Sequence, residues 1–204
     1  MFTSNVITTH PIRCTCGKIR GLLKATKPSN RCICYCTDCQ AFVRHLRAGN
    51  ALNAHGGTDI LQVPSSNVEF TRGAENLACL RLTEKGLLRW YSICCLTPIG
   101  NTSADWKISF VGLVHTCLDS ESQSLESSFG PVTMRVNVKS AIGTDKPPAI
   151  GLLSGISKAL AIIVKGRFGG AYKGSPFFNP QTGNPITNSK VLSANELAAA
   201  KSVA

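Results

Sequence analysis

Short stretches of alternating hydrophobic and polar residues recur through the first 113 positions. They cover residues 18–23, 59–63, 68–71, 77–83, 87–93 and 107–113. This pattern is typical of β-strands, and the turn residues Gly, Pro and Asn recur between the stretches. The sequence Glu84-Lys85-Gly86 predicts a hairpin turn, and residues 41–47 predict a short helix. Many short strands with regular turns indicate a mostly-β fold.

The pattern changes after a polar segment at residues 119–130, which we expect to be a linker or an exposed loop. Residues 149–165 are apolar with one internal charge and predict a helix, on which Ser154, Lys158 and Lys165 share one polar stripe. We expect this helix to pack against the β-layer. It is slightly short for a membrane span, and the neighbouring basic residues leave binding to an acidic membrane surface as an alternative.

The length of 204 residues fits one domain with an appended layer. We therefore divide the chain into a β-sheet domain at residues 1–120 and a C-terminal extension at residues 121–204, with helices packed on the same domain. Within the extension, residues 175–190 predict a loop. Ser193 and Glu196 have the spacing of a capping box, which predicts a last short helix.

The composition is that of an ordinary globular protein, with 43% hydrophobic and 16% charged residues. The net charge of +11 suits an anionic partner such as nucleic acid, an acidic membrane surface or a small anion. Because the basic residues are scattered, a solvated basic surface is the favoured interpretation. The first 13 residues lack the pattern of a secretory signal, which predicts a cytoplasmic location. In that reducing compartment, clustered cysteines indicate metal binding or catalysis rather than disulfides.

Seven of the ten cysteines form three groups, namely Cys14 with Cys16, Cys34 with Cys36 and Cys39, and Cys94 with Cys95. A Cys-x-Cys spacing in an extended chain points both thiols to one face, which suits two thiolates on one metal ion better than a disulfide. Structural zinc takes four ligands, usually from two loops, so the first pair is half a site. A set of three thiolates leaves a fourth position open, as catalytic zinc sites do. We predict one or two Zn²⁺ ions per chain.

The order of these motifs resembles the family of the glutathione-dependent formaldehyde-activating enzyme and centromere protein V, whose fold is called Mss4-like. That family pattern runs Cys-x-Cys-Gly, then Cys-x-Cys-x-x-Cys, then an aromatic residue followed by Cys-x-x-Cys-Gly-Thr-Pro. The corresponding segments are CTCG at 14–17, CYCTDC at 34–39 and YSICCLTP at 91–98. The match spans about residues 12–115. It implies a mostly-β, Mss4-like zinc-binding domain, here followed by a helical extension.

The resemblance also implies roles for the cysteines. It implies a structural zinc on Cys14, Cys16 and Cys95, and a second, more labile zinc on Cys34, Cys36 and Cys39. In the family, the second metal is the one proposed to meet the glutathione adduct of formaldehyde. The implied activity is therefore a carbon–sulfur lyase step, with a small thiol such as glutathione as the partner.

Two positions depart from the family pattern. Ser92 stands where the family has the first cysteine of its last pair, and Leu96 stands where it has glycine. Cys94 can supply the missing ligand, but adjacent residues of a regular strand point to opposite faces, so a turn or bulge is required. Otherwise Cys95 ligates without Cys94, and water, Ser92 or a cysteine of the other cluster completes the site. A single merged site is the corresponding alternative.

Two functions compete on this evidence. In the first, zinc on the three-thiolate set handles a thiol adduct as a carbon–sulfur lyase, and Arg44, Arg47 and His55 are candidates for binding an anionic thiol. In the second, zinc has only a structural role in a non-catalytic binding protein. Its basic surface or the helix at residues 149–165 then binds an anionic partner. A redox role for the vicinal pair Cys94-Cys95 is a third option.

Overall fold

The computed structural model describes residues 8–25, 29–121 and 123–202. Residues 1–7, which belong to the N-terminal segment that lacks the pattern of a secretory signal, lie outside the described residues. The strands are β1 Thr8–Arg13, β2 Arg20–Ala25, β3 Asn30–Cys34, β4 Thr58–Val63, β5 Val68–Arg72, β6 Leu77–Arg81, β7 Leu88–Ser92, β8 Pro98–Thr102, β9 Val111–Val114, β10 Met134–Val136 and β11 Ser189–Val191. The helices are α1 Thr37–His45, α2 Leu125–Phe129, α3 Leu152–Phe168 and α4 Ala194–Lys201.

The strands form two sheets. A three-stranded antiparallel sheet has the order β1-β2-β5, and an eight-stranded sheet has the order β10-β3-β4-β9-β8-β7-β6-β11. In the larger sheet, the six inner strands pair antiparallel, whereas β10 pairs parallel with β3 and β11 pairs parallel with β6. The described chain is thus sheet-rich but carries about as much helix as strand, so the prediction of a mostly-β fold is only partly confirmed.

Strands β8 and β9 are buried at every position, so the centre of the larger sheet is covered on both faces. In β6, Leu77 and Cys79 belong to the largest core, whereas Leu80 belongs to a second core on the opposite face. Trp90 is fully buried in the largest core, and its indole nitrogen donates a hydrogen bond to Thr102 Oγ1 at 3.0 Å. This hydrogen bond joins β7 to β8, the two strands on either side of the loop that carries Cys94 and Cys95.

The boundaries of two elements differ from prediction for identifiable reasons. Helix α1 begins at Thr37 rather than at residue 41, because Cys36 acts as its N-cap and its sulfur accepts a hydrogen bond from the Cys39 backbone N–H at 3.3 Å. Strand β9 begins at Val111 rather than at residue 107, because Asp105 holds the preceding residues in a turn. The Asp105 carboxylate accepts from the Lys107 N–H, and its carbonyl accepts from the Ile108 N–H.

The region after residue 120 is built into the same sheet. Strands β10 and β11 cover the two outer edges of the six-stranded antiparallel part, on β3 and β6 respectively. The predicted loop at 119–130 contains the short helix α2, and the predicted loop at 175–190 runs into β11. The division at residue 120 stays a prediction.

The two predicted C-terminal helices are present as α3 and α4. Helix α4 begins with the predicted capping box of Ser193 and Glu196, and it packs on α1 with an ion pair between Lys201 and Asp38 at 3.5 Å. Within the described residues, we find no helix with the length and apolar character needed to cross a membrane.

Candidate functional site

Two loops bring Cys14, Cys16, Cys94 and Cys95 together, and we call this set the four-cysteine cluster. The first pair follows β1, and the second pair lies between β7 and β8. Their Sγ atoms lie 3.6 Å (Cys14–Cys16), 3.8 Å (Cys14–Cys94), 3.3 Å (Cys16–Cys94) and 3.9 Å (Cys94–Cys95) apart. The prediction that Cys94 joins the site is consistent with this geometry.

These distances fit a tetrahedral metal site. Four thiolates at ~2.3 Å from one zinc ion would place the sulfur atoms ~3.8 Å apart. A disulfide needs sulfur atoms at ~2.05 Å, and all ten cysteines of the chain are free thiols. The four-cysteine cluster can therefore hold one metal ion with a complete set of protein ligands.

A tight turn aims the adjacent residues Cys94 and Cys95 at the same point. The backbone N–H of Leu96 donates to the Ser92 carbonyl at 2.9 Å, and the N–H of Ser92 donates to the Thr97 carbonyl at 3.0 Å. Leu96 adopts a φ of 56°, in the left-handed region that favours glycine. The residue that departs from the family pattern thus keeps the backbone conformation that a glycine would adopt easily.

Ser92 supports Cys95 from behind. Ser92 is fully buried, its Oγ lies 3.2 Å from the Cys95 sulfur, and it accepts a hydrogen bond from the Thr97 N–H at 3.0 Å. The Thr97 hydroxyl lies 3.1 Å from the same sulfur. Burial raises the pKa of Cys95, but hydrogen bonds from Ser92, Thr97 and Cys16 together outweigh burial and lower that pKa to about 6. Ser92 is therefore placed to orient the Cys95 thiol.

The second group consists of Cys34, Cys36 and Cys39, and we call it the three-cysteine cluster. Their three Sγ atoms lie within 4.8 Å of one another. Cys34 ends β3, Cys36 caps α1, and Cys39 lies in the first turn of that helix. The structure thus keeps the two clusters separate, so the merged site considered from the sequence is not formed. Two separate groups in the described chain can hold metal ions.

Hydrogen bonds concentrate negative charge on one sulfur of the three-cysteine cluster. Contacts from Cys36 and Cys39, with a hydrogen bond from Asn137 at 3.4 Å, lower the pKa of Cys34 to about 2. The same contacts raise the pKa values of Cys36 and Cys39. Because metal binding requires deprotonated thiols, loading this cluster must release protons.

A cavity of about 330 Å³ opens beside the three-cysteine cluster. All three thiols line it, whereas none of the four-cysteine cluster does. The remaining wall is mainly apolar, from side chains that include Ile60, Leu82, Leu87, Phe110 and Val136. A small molecule in this cavity can therefore reach the sulfurs of the three-cysteine cluster.

Arg89 supplies positive charge to this cavity. Its side chain is buried, with 4% exposure, and its guanidinium lies over the Phe42 ring at 5.5 Å. One guanidinium nitrogen donates to Asn101 Oδ1 at 3.1 Å and lies 3.9 Å from the Cys39 sulfur. In the described part of the chain, Arg89 forms no ion pair with a carboxylate. A buried cation without a carboxylate partner needs other polar or anionic partners, and a deprotonated, metal-bound Cys39 would supply one.

The residues chosen from the sequence for an anionic ligand lie elsewhere. Arg44 donates to Gln40 Oε1 at 2.8 Å, the His55 ring lies 3.2 Å from the Ile142 carbonyl, and Arg47 is exposed. None of these three lines the cavity, and their role stays a prediction. Sequence reasoning missed Arg89. Its signal in the sequence was a charged residue inside the strand segment at 88–91. A charged residue in a strand that is buried on both faces is rare unless it is paired.

The three cysteines outside the two clusters, Cys32, Cys79 and Cys117, are all buried. Cys32 also lines the cavity, but it is not part of the three-cysteine cluster. Burial raises its pKa, as do the negative charges of the neighbouring cysteines. Cys32 therefore stays a neutral wall residue in the metal-free protein.

No curated protein matches this sequence significantly. The chain is similar to a solved protein of Rhodobacter sphaeroides, with 17% identity and a TM-score of 0.38, over 55% of this chain and 89% of that one. A family described only as a family of unknown function, DUF6151, has a model that matches residues 4–190. The chain therefore belongs to the DUF6151 family.

Proposed function

We propose that this protein binds two zinc ions with different tasks. The four-cysteine cluster holds a structural zinc that joins the loop after β1 to the loop after β7. The three-cysteine cluster holds a second zinc, whose fourth position faces the cavity and accepts a small thiol or a thiol adduct. The observation that carries the proposal is that one cysteine set supplies four ligands and no cavity, whereas the other supplies three ligands and lines one.

The chain's own residues prepare the cavity for such a ligand. Arg89 is held in place by Asn101 and by the ring of Phe42, so its charge can bind an anionic group without reorganisation. The wall is mainly apolar, although Asp38, Gln62 and Ser103 also line it. Zinc bound to three thiolates would supply a Lewis acid and a docking point for a soft thiolate.

The reaction we propose is cleavage of a hemithioacetal, the adduct of a thiol and an aldehyde. The carbon–sulfur bond breaks, the sulfur keeps the electron pair, and the hydroxyl proton is released as the aldehyde forms. This choice, and glutathione as the thiol, rest on the resemblance of three ordered cysteine motifs to the glutathione-dependent formaldehyde-activating enzyme family. The cavity supports the chemical class of the ligand, namely a small molecule with a thiol and an anionic group.

Metal content and ligand access test the proposal together. Elemental analysis of protein purified without chelator is expected to give two zinc ions per chain, and Cys36→Ser is expected to leave one. In cobalt-substituted protein, millimolar glutathione or 2-mercaptoethanol should change the visible spectrum, and Cys36→Ser should abolish that change. Glutathione consumption with formaldehyde, followed by NMR, tests the lyase step separately. One zinc per chain, or a cobalt spectrum insensitive to thiols, would contradict the open site.

A second function, a non-catalytic binding protein stapled by zinc, is favoured by a different observation. Helix α3 leaves six large apolar side chains exposed. If the cobalt spectrum does not respond to thiols, this surface becomes the better indication of what the protein does.

A further inference from the structure

Helix α3 packs on the sheet through two glycines and one isoleucine. Gly155, Ile162 and Gly166 are the buried residues of the helix. The backbone at Gly155 lies directly on the Met134 side chain, and a Cβ at Gly166 would come within 2.6 Å of Ser109 Cβ. The helix backbone therefore approaches the sheet closely at the two glycines, and Ile162 is the one large apolar residue of α3 that is fully buried.

Six large apolar residues of α3 are exposed, whereas Ile162 is buried. Five of the six are Leu153, Ile156, Leu160, Val164 and Phe168, with exposures of 85%, 46%, 54%, 51% and 87%, and we call them the apolar stripe. The sixth, Leu152, is 53% exposed at the first position of the helix. Spacings of three and four residues place the apolar stripe on one side of the helix, over a length of ~22 Å. Exposed apolar surface of this extent on one element marks an interaction site.

The charges around the apolar stripe identify the kind of partner. Helix α3 carries Lys158, Lys165 and Arg167 and no acidic residue, and Lys173 follows in the next turn. Arg167 points along the outward face, where it lies 3.8 Å from Asp105 at half exposure. A second copy of this chain, with its own net charge of +11, would place cations against cations. The complementary partner is therefore anionic.

We propose that α3 binds an anionic membrane surface, with the apolar stripe in the boundary between headgroups and acyl chains. Helices that carry Leu, Ile and Phe on one side, and whose charged residues are all basic, typically lie parallel to the membrane in its headgroup region. The basic side chains have long aliphatic stems, so their charged ends can reach the lipid phosphates. This inference does not depend on either metal site.

Vesicle sedimentation with the full chain tests the proposal. Binding is expected to vesicles of phosphatidylcholine with about 30% phosphatidylserine, to weaken with salt, and to be much weaker with phosphatidylcholine alone. The double variant Leu153→Ser, Phe168→Ser is expected to bind at least about tenfold more weakly. Both side chains are more than four-fifths exposed, so the variant should keep the fold, which circular dichroism verifies.

Two further variants separate the causes. Ile186→Ser removes an exposed apolar residue outside α3 and should bind like the unmodified protein. Lys165→Gln with Arg167→Gln should lose affinity for the anionic vesicles but not for neutral ones. Absence of binding at millimolar lipid, or equal binding by the stripe variant, would overturn the proposal. So would a dimer in analytical ultracentrifugation that the stripe variant converts to monomer, because a second copy would then cover the stripe.

Discussion

Both clusters offer cysteine thiols to a metal ion, but they differ in how far apart their cysteines lie in the chain. Cys14 and Cys94 are 80 positions apart, and their loops belong to different sheets. The three-cysteine cluster spans only residues 34–39. A metal ion in the four-cysteine cluster closes a long loop and joins two sheets, whereas one in the three-cysteine cluster closes almost none. A cross-link removes more conformational entropy from the unfolded state when it closes a longer loop. A metal ion in the four-cysteine cluster should therefore contribute to stability, and one in the three-cysteine cluster to chemistry.

Loss of a ligand from each cluster gives the largest expected contrast. Cys14→Ser should lower the free energy of unfolding by at least about 3 kcal/mol, since structural zinc contributes ~10–16 kcal/mol in zinc-finger peptides. Cys36→Ser should lower it by less than about 1.5 kcal/mol and lose one zinc. Urea unfolding with parallel zinc analysis measures both. Equal destabilisation by the two variants would remove the distinction between a structural and an open site.

The buried cation beside the three-cysteine cluster gives the next contrast. Arg89→Gln should weaken thiol binding to the cobalt-loaded protein by about tenfold or more, because a charge-assisted contact is worth ~1.5–3 kcal/mol. Arg44→Gln is the matched control, since Arg44 bonds to Gln40 outside the cavity. If Arg44→Gln has the larger effect, the anionic ligand binds where the sequence alone predicted it. Zinc content should stay at two ions in both variants.

Substitutions in the two loops of the four-cysteine cluster should change the stability of the protein without changing the cavity. Leu96→Gly should stabilise the protein by about 1 kcal/mol, because a left-handed non-glycine residue costs ~1–2 kcal/mol. Gly17→Ala in the opposite loop, where φ is +73°, should destabilise by a similar amount. Neither change should alter thiol binding at the three-cysteine cluster. A spectral change there would show that the two clusters are coupled.

The smallest expected effect is on the pH dependence of the stability of α4, the helix that packs on α1. The hydrogen bond from Lys190, followed by those from Ser193, lowers the pKa of Glu196 from 4.5 to about 2. A depressed carboxyl pKa stabilises the folded state above pH 4.5, and that stabilisation is lost as pH falls towards 2. Glu196→Gln should abolish this part of the acid dependence. Amide hydrogen exchange in α4 measures it, and an unchanged profile in Glu196→Gln would refute the assignment.

Periodicity predicted the elements that depend on local sequence. The strands near residues 59–63, 68–71 and 87–93 and the capping box at Ser193 were all found, since alternation and side-chain capping act within a few residues. The edges of the large sheet were not predicted. Strands β10 and β11 are three residues long, which is too short to show a period, and their partners lie about a hundred residues away.

The candidate site was predicted unevenly for the same physical reason. All seven clustered cysteines were found by spacing, and the substitution of Cys94 for the family residue at Ser92 required only a local turn. Arg89 was missed because its function depends on β7 lying beside β8 and behind α1, where Asn101 and Phe42 hold it. The extent of the outward apolar face of α3 was not predicted, because the close backbone packing at Gly155 and Gly166 leaves Ile162 as the one large apolar residue of the helix that is fully buried.

The two parallel strands at the edges of the sheet also constrain the order in which this protein can fold. Strand β3 stays unpaired on one side until residues 134–136 are made, and β6 until residues 189–191 are made. Contacts over such sequence separations form slowly, and an open strand edge recruits other chains. A shortened chain that ends near residue 120 should therefore aggregate even with both cysteine clusters present, and a nascent chain should need a chaperone for its first 190 residues.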